Sequence, residues 1–327
     1  MTPKPTVLVV GGAGFIGSHT TLALAEAGYD VVVYDNFSSG HRRACFDFDV
    51  VEGELADMAK LVAVLKDRHV DCVVHFAALI EAGQSVVDPL AFYRNNVAAT
   101  LELLEAMKAA GTSRIVFSST AAVYGNAGDA LLKEGLPKAP INPYGHSKAM
   151  VESVLASAAD AHDFKAIALR YFNAAGADPQ GRTGERHDPE THLIPLVIQA
   201  ALGVRPNIRI FGTDYSTPDG TCIRDYIHVT DLAAGHVAAV NALLRDDKPQ
   251  FVAANLGTGH GYSVREVIEM VRSVSGVDFQ VITDARRTGD PSRLVADPSR
   301  AQELFGWSAQ RSDLKTIVED AWRFIHG

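Results

Sequence analysis

The chain has 327 residues, with 30 Lys+Arg against 39 Asp+Glu, so its formal net charge is −9. Hydrophobic residues make up 47% and charged residues 21%, which is typical of a globular protein and excludes disordered, collagen-like and disulfide-framework classes. The acidic balance argues against a nucleic-acid or anionic-membrane surface across the whole chain, while a local basic pocket stays open.

The cysteines and the apolar runs bear on the compartment. Cys45, Cys72 and Cys222 show no C-x-x-C spacing, which excludes a zinc ribbon or a thioredoxin-like motif and predicts a reducing cytoplasm. The longest apolar and glycine run, residues 7–17, is shorter than the roughly 18 residues of a membrane span and lacks a signal-peptide exit. We therefore expect a cytoplasmic protein with no membrane partner.

The first half of the chain alternates apolar strands with helical patterns. In chain order we predict a strand at 6–10, a helix at 18–27, a strand at 31–34, a helix near 57–66, a strand at 71–76, a helix near 89–110, a strand at 114–117, a helix near 143–161 and a strand at 166–170. Strands without alternation, separated by helices, indicate a parallel sheet covered on both faces. Right-handed crossovers then give a doubly wound Rossmann sheet that binds ligands at the carboxyl ends of its strands.

The second half has a different texture after about Asn173. Residues 174–191 lack periodicity and predict a loop that closes over a ligand; a helix at 193–202, a strand at 208–211, a turn at 212–220 and further mixed elements follow. Ser263 and Glu266 fit a capping box. We therefore predict a Rossmann domain at 1–173 and a smaller α/β substrate domain at 174–327, with some segments returning to the first and the site between the two.

A glycine motif joins the first strand to the first helix. Gly11, Gly14 and Gly17 allow a tight turn, close approach of a pyrophosphate and packing of helix on strand, and the helix start attracts the anion. Asp35 ends the second strand, where a carboxylate accepts hydrogen bonds from a ribose 2′-hydroxyl and repels a 2′-phosphate. Each feature alone also fits a glycine-rich turn or a surface acid, but together they predict NAD.

Tyr144 and Lys148 stand four residues apart on one helical face. A nearby cation favours the phenolate, so the pair is suited to take a proton from a hydroxyl while hydride leaves the same carbon. Y-x-x-x-K alone more often decorates a solvated helix. A hydroxyl of the Ser-Ser-Thr run at 118–120, after the strand at 114–117, would join this proton network. The alternative, a loop-start role that satisfies the backbone, suits Ser118 or Ser119 better.

Metal chemistry is not expected. The 12 histidines show no H-E-x-x-H or equivalent spacing. His75 lies within a buried strand pattern, which favours a structural role.

Several motifs together resemble a known family. They are Gly11-x-x-Gly14-x-x-Gly17, the Ser-Ser-Thr run at 118–120, Tyr144-x-x-x-Lys148, LRYFN at 169–173, RDYIHV at 224–229 and ELFGW at 303–307. The set resembles the extended short-chain dehydrogenase/reductases, and within them the UDP-glucose (UDP-galactose) 4-epimerases, over nearly the full length. The resemblance implies an isomerase that inverts C4 of a UDP-hexose through a 4-keto sugar, with NAD regenerated each turnover. It also implies a homodimer.

The resemblance also implies site residues. Tyr144 would take the 4-hydroxyl proton, Lys148 would tune Tyr144 and hold the nicotinamide ribose, and Thr120 would bind the reacting oxygen. The implied cofactor residues are Gly11, Gly14, Phe15, Ile16, Gly17, Asp35, Asn36, Ser39, Gly40, Glu54, Leu55, Phe76, Ala77, Leu79, Asn96, Lys148 and Phe172. The implied substrate residues are Thr120, Tyr144, Asn173, Leu193, Arg224, Arg287, Asp290 and Leu294.

The chain also departs from the family pattern. It has Thr120 where many members carry Ser, Glu54 for Asp, Ile80 for Lys, His192 for Asn, and Leu294 where others have Tyr or Cys. Ala121 replaces the acid that related dehydratases use, which argues against 4,6-dehydration. Two alternatives stay open: 4-epimerisation of another UDP-sugar (an N-acetylhexosamine, uronic acid or pentose), and an NAD-binding sensor without turnover.

Overall fold

The computed structural model describes residues 4–128, 130–245, 250–287 and 290–327. The strands are β1 Thr6–Val10, β2 Asp30–Asp35, β3 Asp49–Glu52, β4 Val70–His75, β5 Arg114–Thr120, β6 Lys165–Tyr171, β7 Asn173–Ala175, β8 Ile208–Phe211, β9 Ile223–Arg224, β10 Tyr226–His228, β11 Gln250–Leu256, β12 Tyr262–Ser263, β13 Val281–Asp284 and β14 Arg293–Leu294. The helices are α1 Phe15–Glu26, α2 Met58–Asp67, α3 Ala82–Val87, α4 Pro89–Phe92, α5 Ala99–Ala110, α6 Pro143–His162, α7 Leu193–Ala201, α8 Val229–Arg245, α9 Val264–Ser275, α10 Ser299–Phe305 and α11 Leu314–His326.

The main sheet has seven strands in the order β11-β6-β5-β4-β1-β2-β3. Every neighbouring pair in it is parallel. The order reverses direction between β1 and β4, so the loops after these strands diverge and leave a crevice at their carboxyl ends. The predicted doubly wound fold is confirmed.

Alternate residues of the central strands face two hydrophobic layers. Leu8 and Val10 pack with residues of α2, α5 and α6. Val7 and Val9 pack on the opposite face with residues of α1 and α8. Both faces of the sheet are therefore buried under helices, which explains why its strands are apolar without alternation.

The second part of the chain has its own core and also returns to the main sheet. Ile194, Val197, Ile268 and Ile317 belong to a separate hydrophobic cluster built from α7, α9 and α11. In contrast, β11 pairs with β6, and α8 packs against α1. The domain boundary at residue 173 stays a prediction, with β11 and α8 as the segments that join the first domain.

Three elements differ from the sequence-based expectation. The structure has an edge strand, β3, between the strand predicted at 31–34 and the helix predicted near 57–66, where we predicted no strand. The sequence signal is weak here, because the four residues of β3 contain a single apolar pair that is half-buried. The helix predicted at 89–110 is divided into α4, a π-helical turn at Tyr93–Ala98 and α5. The strand predicted at 114–117 continues through Thr120.

The described residues bear on the expectations about membrane spans and cysteines. None of their helices is both long enough and apolar enough to cross a membrane. Cys45, Cys72 and Cys222 are buried free thiols.

Candidate active site

The glycine motif forms a cradle between β1 and α1. A Cβ on Gly11 would lie 2.6 Å from the Ala77 nitrogen, and Gly11 has a φ of +80°. A Cβ on Gly17 would lie 2.2 Å from the Gly11 carbonyl oxygen. At Gly14 the nearest atom, the Gly11 carbonyl oxygen, would be 3.5 Å away, which is an ordinary van der Waals contact. Two glycines therefore permit close backbone packing, and the third keeps the helix start accessible.

Asp35 is buried at the end of β2. Its carboxylate accepts hydrogen bonds from the backbone N–H groups of Ala13 at 2.9 Å and Phe37 at 2.8 Å. Burial raises the pKa of Asp35, and these two donors oppose the rise. A carboxylate has about four acceptor positions, so Asp35 retains capacity for a ribose hydroxyl.

The other predicted cofactor residues lie at or just beyond the carboxyl ends of the parallel strands, or on the helices that follow them. Asn96, on the π-helical turn, accepts from the Leu79 N–H at 2.8 Å and donates to the Leu79 carbonyl at 2.9 Å and to Ser147 Oγ at 3.0 Å. It thereby joins the loop after β4 to α6. The remaining residues of this set in the loops and helix starts are Phe15, Ile16, Asn36, Ser39, Gly40, Glu54, Leu55, Phe76, Ala77 and Phe172.

Thr120 and Tyr144 form a hydroxyl pair at the end of β5. Asn142 caps α6 by accepting from the Gly145 N–H at 2.8 Å, and Pro143 occupies the first turn. The Asn142 cap and Pro143 fix where α6 begins, and this start places Tyr144 in the first turn of the helix, on the side of Thr120. Burial raises the pKa of Tyr144, while the neighbouring Thr120 side chain lowers it.

Lys148 lies one helical turn beyond Tyr144. Its ammonium donates to the Ser118 carbonyl at 2.7 Å and lies 4.8 Å from the centre of the Phe117 ring. Burial lowers its pKa to about 7. Its positive charge in turn helps burial to lower the pKa of His75 to about 3, so that His75 is neutral.

The serines and Thr120 differ from our expectation in one respect. Thr120 Oγ1 accepts from the Ala122 N–H at 3.1 Å, so Thr120 is the residue that satisfies the backbone at the loop start. Ser119 instead donates to the buried Glu152 carboxylate at 2.6 Å. The assignment of the loop-start role to Ser118 or Ser119 was wrong because β5 extends through both residues.

The pairing of β14 with β9 brings several of the predicted substrate residues together. Leu294 lies opposite Arg224 in this parallel pair, which brings residues 290–294 next to 222–224. Arg224 forms a salt bridge with Asp290. The Arg287 carbonyl accepts from the Asp290 N–H at 3.3 Å, and its guanidinium lies 4.0 Å from the centre of the Phe211 ring.

Leu294 and the two remaining residues of this set, Asn173 and Leu193, lie on different elements. Leu294 packs against a small cluster that contains Ala121, next to Thr120. Asn173 begins β7 and donates its N–H to the Asp225 carbonyl at 2.9 Å. Leu193 is the first residue of α7, directly after His192.

Sequence reasoning missed two groups near these residues. The Glu81 carboxylate acts on Tyr144 by raising its pKa. In addition, Glu185, His187, Glu190 and His192 bring four possible metal-ligand atoms within 4.8 Å of one another. Their spacing, E-x-H-x-x-E-x-H, is visible in the sequence, but it lies in the loop without periodicity and matches none of the metal motifs that we considered.

Comparison with known proteins decides the family. The model of the NAD dependent epimerase/dehydratase family matches residues 7–257. This chain belongs to that family. The match covers the glycine cradle, Asp35, Thr120, Tyr144 and Lys148, and it also includes Asn173, Leu193 and Arg224.

Individual members of the NAD dependent epimerase/dehydratase family resemble the chain over nearly its full length. A UDP-glucose 4-epimerase from Rhizobium leguminosarum bv. trifolii is 51% identical over 317 residues, which are 97% of this chain and 96% of the relative. The structure of UDP-glucose 4-epimerase from Brucella ovis in complex with NAD aligns with a TM-score of 0.95 at 49% identity, covering 98% of both chains. The UDP-Glc/GlcNAc 4-epimerase of Campylobacter jejuni aligns with a TM-score of 0.86 at 42% identity, again over 98% of both chains.

Proposed function

We propose that this chain is an NAD-dependent isomerase that interconverts UDP-glucose and UDP-galactose at C4 through a 4-keto sugar. The hydroxyl pair of Tyr144 and Thr120 carries the proposal, because it places a proton acceptor and a second hydrogen-bonding group at the carboxyl end of β5. The similarity to UDP-glucose 4-epimerases supports the substrate class.

The glycine cradle fits NAD. Gly14 has no side chain to obstruct a pyrophosphate at the start of α1, where the N–H groups of a helix N-terminus attract an anion. Asp35 would bind the adenine ribose, and its negative charge disfavours the 2′-phosphate of NADP. Asn96 would fix the loop after β4 on the nicotinamide side, since it holds both backbone groups of Leu79.

Tyr144 is the proposed base. Its phenolate would accept the proton of the sugar 4-hydroxyl and return it to the 4-keto oxygen after the sugar has presented its other face. When bound, NAD⁺ would supply reversible hydride transfer, taking the hydride from the sugar C4 and giving it back to the other face of that carbon, and a ring cation that favours the phenolate. Thr120 would hold the reacting oxygen, and Lys148 would stabilise the phenolate and bind the ribose once its ammonium turns from the Ser118 carbonyl.

The substrate diphosphate would meet Arg224 and Arg287. A guanidinium offers positive charge and paired donors. Arg224 would exchange its salt bridge with Asp290 for hydrogen bonds to phosphate oxygens, at a small cost in free energy. Phe211, which stacks on Arg287, offers an apolar surface to a uracil base. Leu294 would border the sugar because it packs beside Ala121.

Epimer formation tests the function directly. Purified protein given UDP-galactose should produce UDP-glucose in an NMR time course, with transient absorbance of bound NADH. A panel that adds UDP-N-acetylglucosamine, a UDP-uronic acid and a UDP-pentose separates the other 4-epimerases. Binding of NAD without reduction by any of these sugars would instead support the sensor.

Two glycine variants distinguish cofactor binding from folding. We expect Gly14→Ala to fold normally, because its φ of −78° and ψ of 176° suit alanine and its methyl meets no close atom, yet to lose bound NAD because the methyl enters the pyrophosphate space. Gly17→Ala should destabilise the fold itself, since its Cβ would overlap the Gly11 carbonyl. Urea unfolding and NAD released on denaturation measure the two effects. Full NAD content in Gly14→Ala would contradict the assignment.

A homodimer is part of the same proposal. Five large apolar side chains are exposed on neighbouring helices α3 to α6, namely Val86 (64%), Val87 (76%), Leu90 (70%), Leu101 (43%) and Met150 (46%). A patch of this kind is typical of a surface covered by a second copy. Leu90→Glu with Met150→Glu should halve the mass measured by light scattering. Val204→Glu, at an equally exposed position after α7, is the matched control, and an unchanged mass in the double variant would refute the interface.

A cytoplasmic location also belongs to the proposal. The three buried free cysteines support it, because thiols persist in a reducing compartment. No nucleic-acid partner is proposed. Fractionation of cells that produce the protein checks the location, and recovery from a secreted or periplasmic fraction would overturn it.

A further inference from the structure

Four metal-ligating side chains meet in the loop that precedes α7. Glu185 is buried, while His187, Glu190 and His192 are half-buried. Each contributes one donor atom to a cluster less than 4.8 Å across. The proposed reaction uses none of these four side chains.

The donor atoms are spaced like the ligands of a small cation. His192 Nδ1 lies 2.7 Å from Glu185 Oε1 and 2.9 Å from Glu190 Oε1, and His187 Nδ1 lies 3.1 Å from Glu185 Oε1. Zinc bonds of about 2.0–2.1 Å to nitrogen and oxygen separate tetrahedral ligands by roughly 3.3 Å. These three separations are therefore a few tenths of an ångström shorter than the ligand spacing around zinc, and the other donor pairs lie within 4.8 Å of one another.

The chemistry of the donors also matches. Two imidazole nitrogens and two carboxylate oxygens suit Zn²⁺, and the two negative charges would balance its two positive charges. Glu190 is already oriented, because its Oε1 accepts from the N–H groups of Thr191 at 2.7 Å and His192 at 2.8 Å. Four protein ligands leave no open position, which is typical of a structural site.

The loop around this cluster touches the cofactor-binding half of the molecule. Thr183 shares a hydrogen bond of 3.1 Å with Ser18 of α1. The Arg186 carbonyl lies 3.0 Å from His41 Nε2, in the loop after β2. We propose that Glu185, His187, Glu190 and His192 bind one structural Zn²⁺. This ion would hold the loop before α7 in the conformation that contacts α1.

Metal titration of the holoenzyme tests the proposal independently of activity. Tag-free protein, stripped with a chelator, is dialysed against Zn²⁺ and the bound metal is measured by elemental analysis; Co²⁺ serves as the spectroscopic probe. We expect one Zn²⁺ per chain, a tetrahedral Co²⁺ absorption spectrum, and slower hydrogen exchange in residues 182–192 when metal is bound. His187→Gln and Glu190→Gln should each weaken binding at least about tenfold.

A matched histidine variant controls for surface binding. His162→Gln removes an exposed imidazole at the end of α6 and should leave the affinity unchanged. Equal Zn²⁺ binding by wild type and His187→Gln would overturn the proposal and assign the metal to surface histidines. Failure to bind one equivalent would also overturn it, and would leave the cluster as a set of three His–Glu contacts.

Discussion

Replacing Tyr144 by Phe should lower kcat for UDP-galactose epimerisation by about 10²–10⁴-fold, the usual range for loss of a general base. The change removes the hydroxyl that is paired with Thr120 and leaves the ring, the helix and its Asn142 cap in place. Bound NAD should persist, because the cofactor contacts assigned to the glycine cradle and Asp35 do not involve this hydroxyl. Steady-state NMR assays, with NAD content measured on the same sample, give both quantities.

Tyr29→Phe is the matched control for this variant. The Tyr29 hydroxyl hydrogen-bonds to Asn241, between the end of α1 and α8, and the expected kcat is that of wild type. Activity in Tyr144→Phe comparable to wild type would refute the assignment of the base. Loss of activity together with loss of NAD would show that the variant had damaged the cofactor site.

Replacing Arg170 by Met should lower the free energy of unfolding by about 3–5 kcal/mol, the usual effect of leaving a buried charge without its partner. Arg170 and Glu152 are both buried and form two hydrogen bonds, at 2.8 and 2.6 Å. Burial alone would raise the pKa of Glu152, but Arg170 outweighs it and holds that pKa below its usual value. Urea unfolding at neutral pH measures the loss.

A double variant separates lost packing from the stranded charge. Glu152→Leu with Arg170→Met removes both charges and should recover much of the stability, because an apolar pair needs no compensation. Lys138, 3.4 Å from Glu152, gives the single variant a half-exposed substitute partner, which favours the lower end of the range. A single variant as stable as wild type would contradict the prediction.

Most of the central fold was predictable because its signals are local. The apolar run at 6–10 ends at a glycine and coincides with β1, and the capping box at Ser263 and Glu266 begins α9 as predicted. β3 was not predictable in this way, since a short edge strand depends on pairing with β2 rather than on its own composition. The π-helical turn was equally hidden, because neither proline nor glycine marks it.

The candidate site was predictable where residue type and spacing coincide. Tyr144 and Lys148 share a helix face, so their relation needed only helix geometry. The electrostatic effect of Glu81 on the pKa of Tyr144 depends on how the loop after β4 folds back on α6, which no periodicity encodes. The pairing of Arg224 with Asp290 similarly depends on the parallel pairing of β9 with β14, two strands far apart in the chain.

The position of β11 also sets the order in which the protein is completed during synthesis. This strand closes one edge of the main sheet, yet it comes after β7 to β10 in the chain. While the ribosome is still translating the middle of the message, the edge of β6 therefore stays unpaired and available to other chains. Formation of the nucleotide-binding half must wait for residues of the other half, so the two parts mature together.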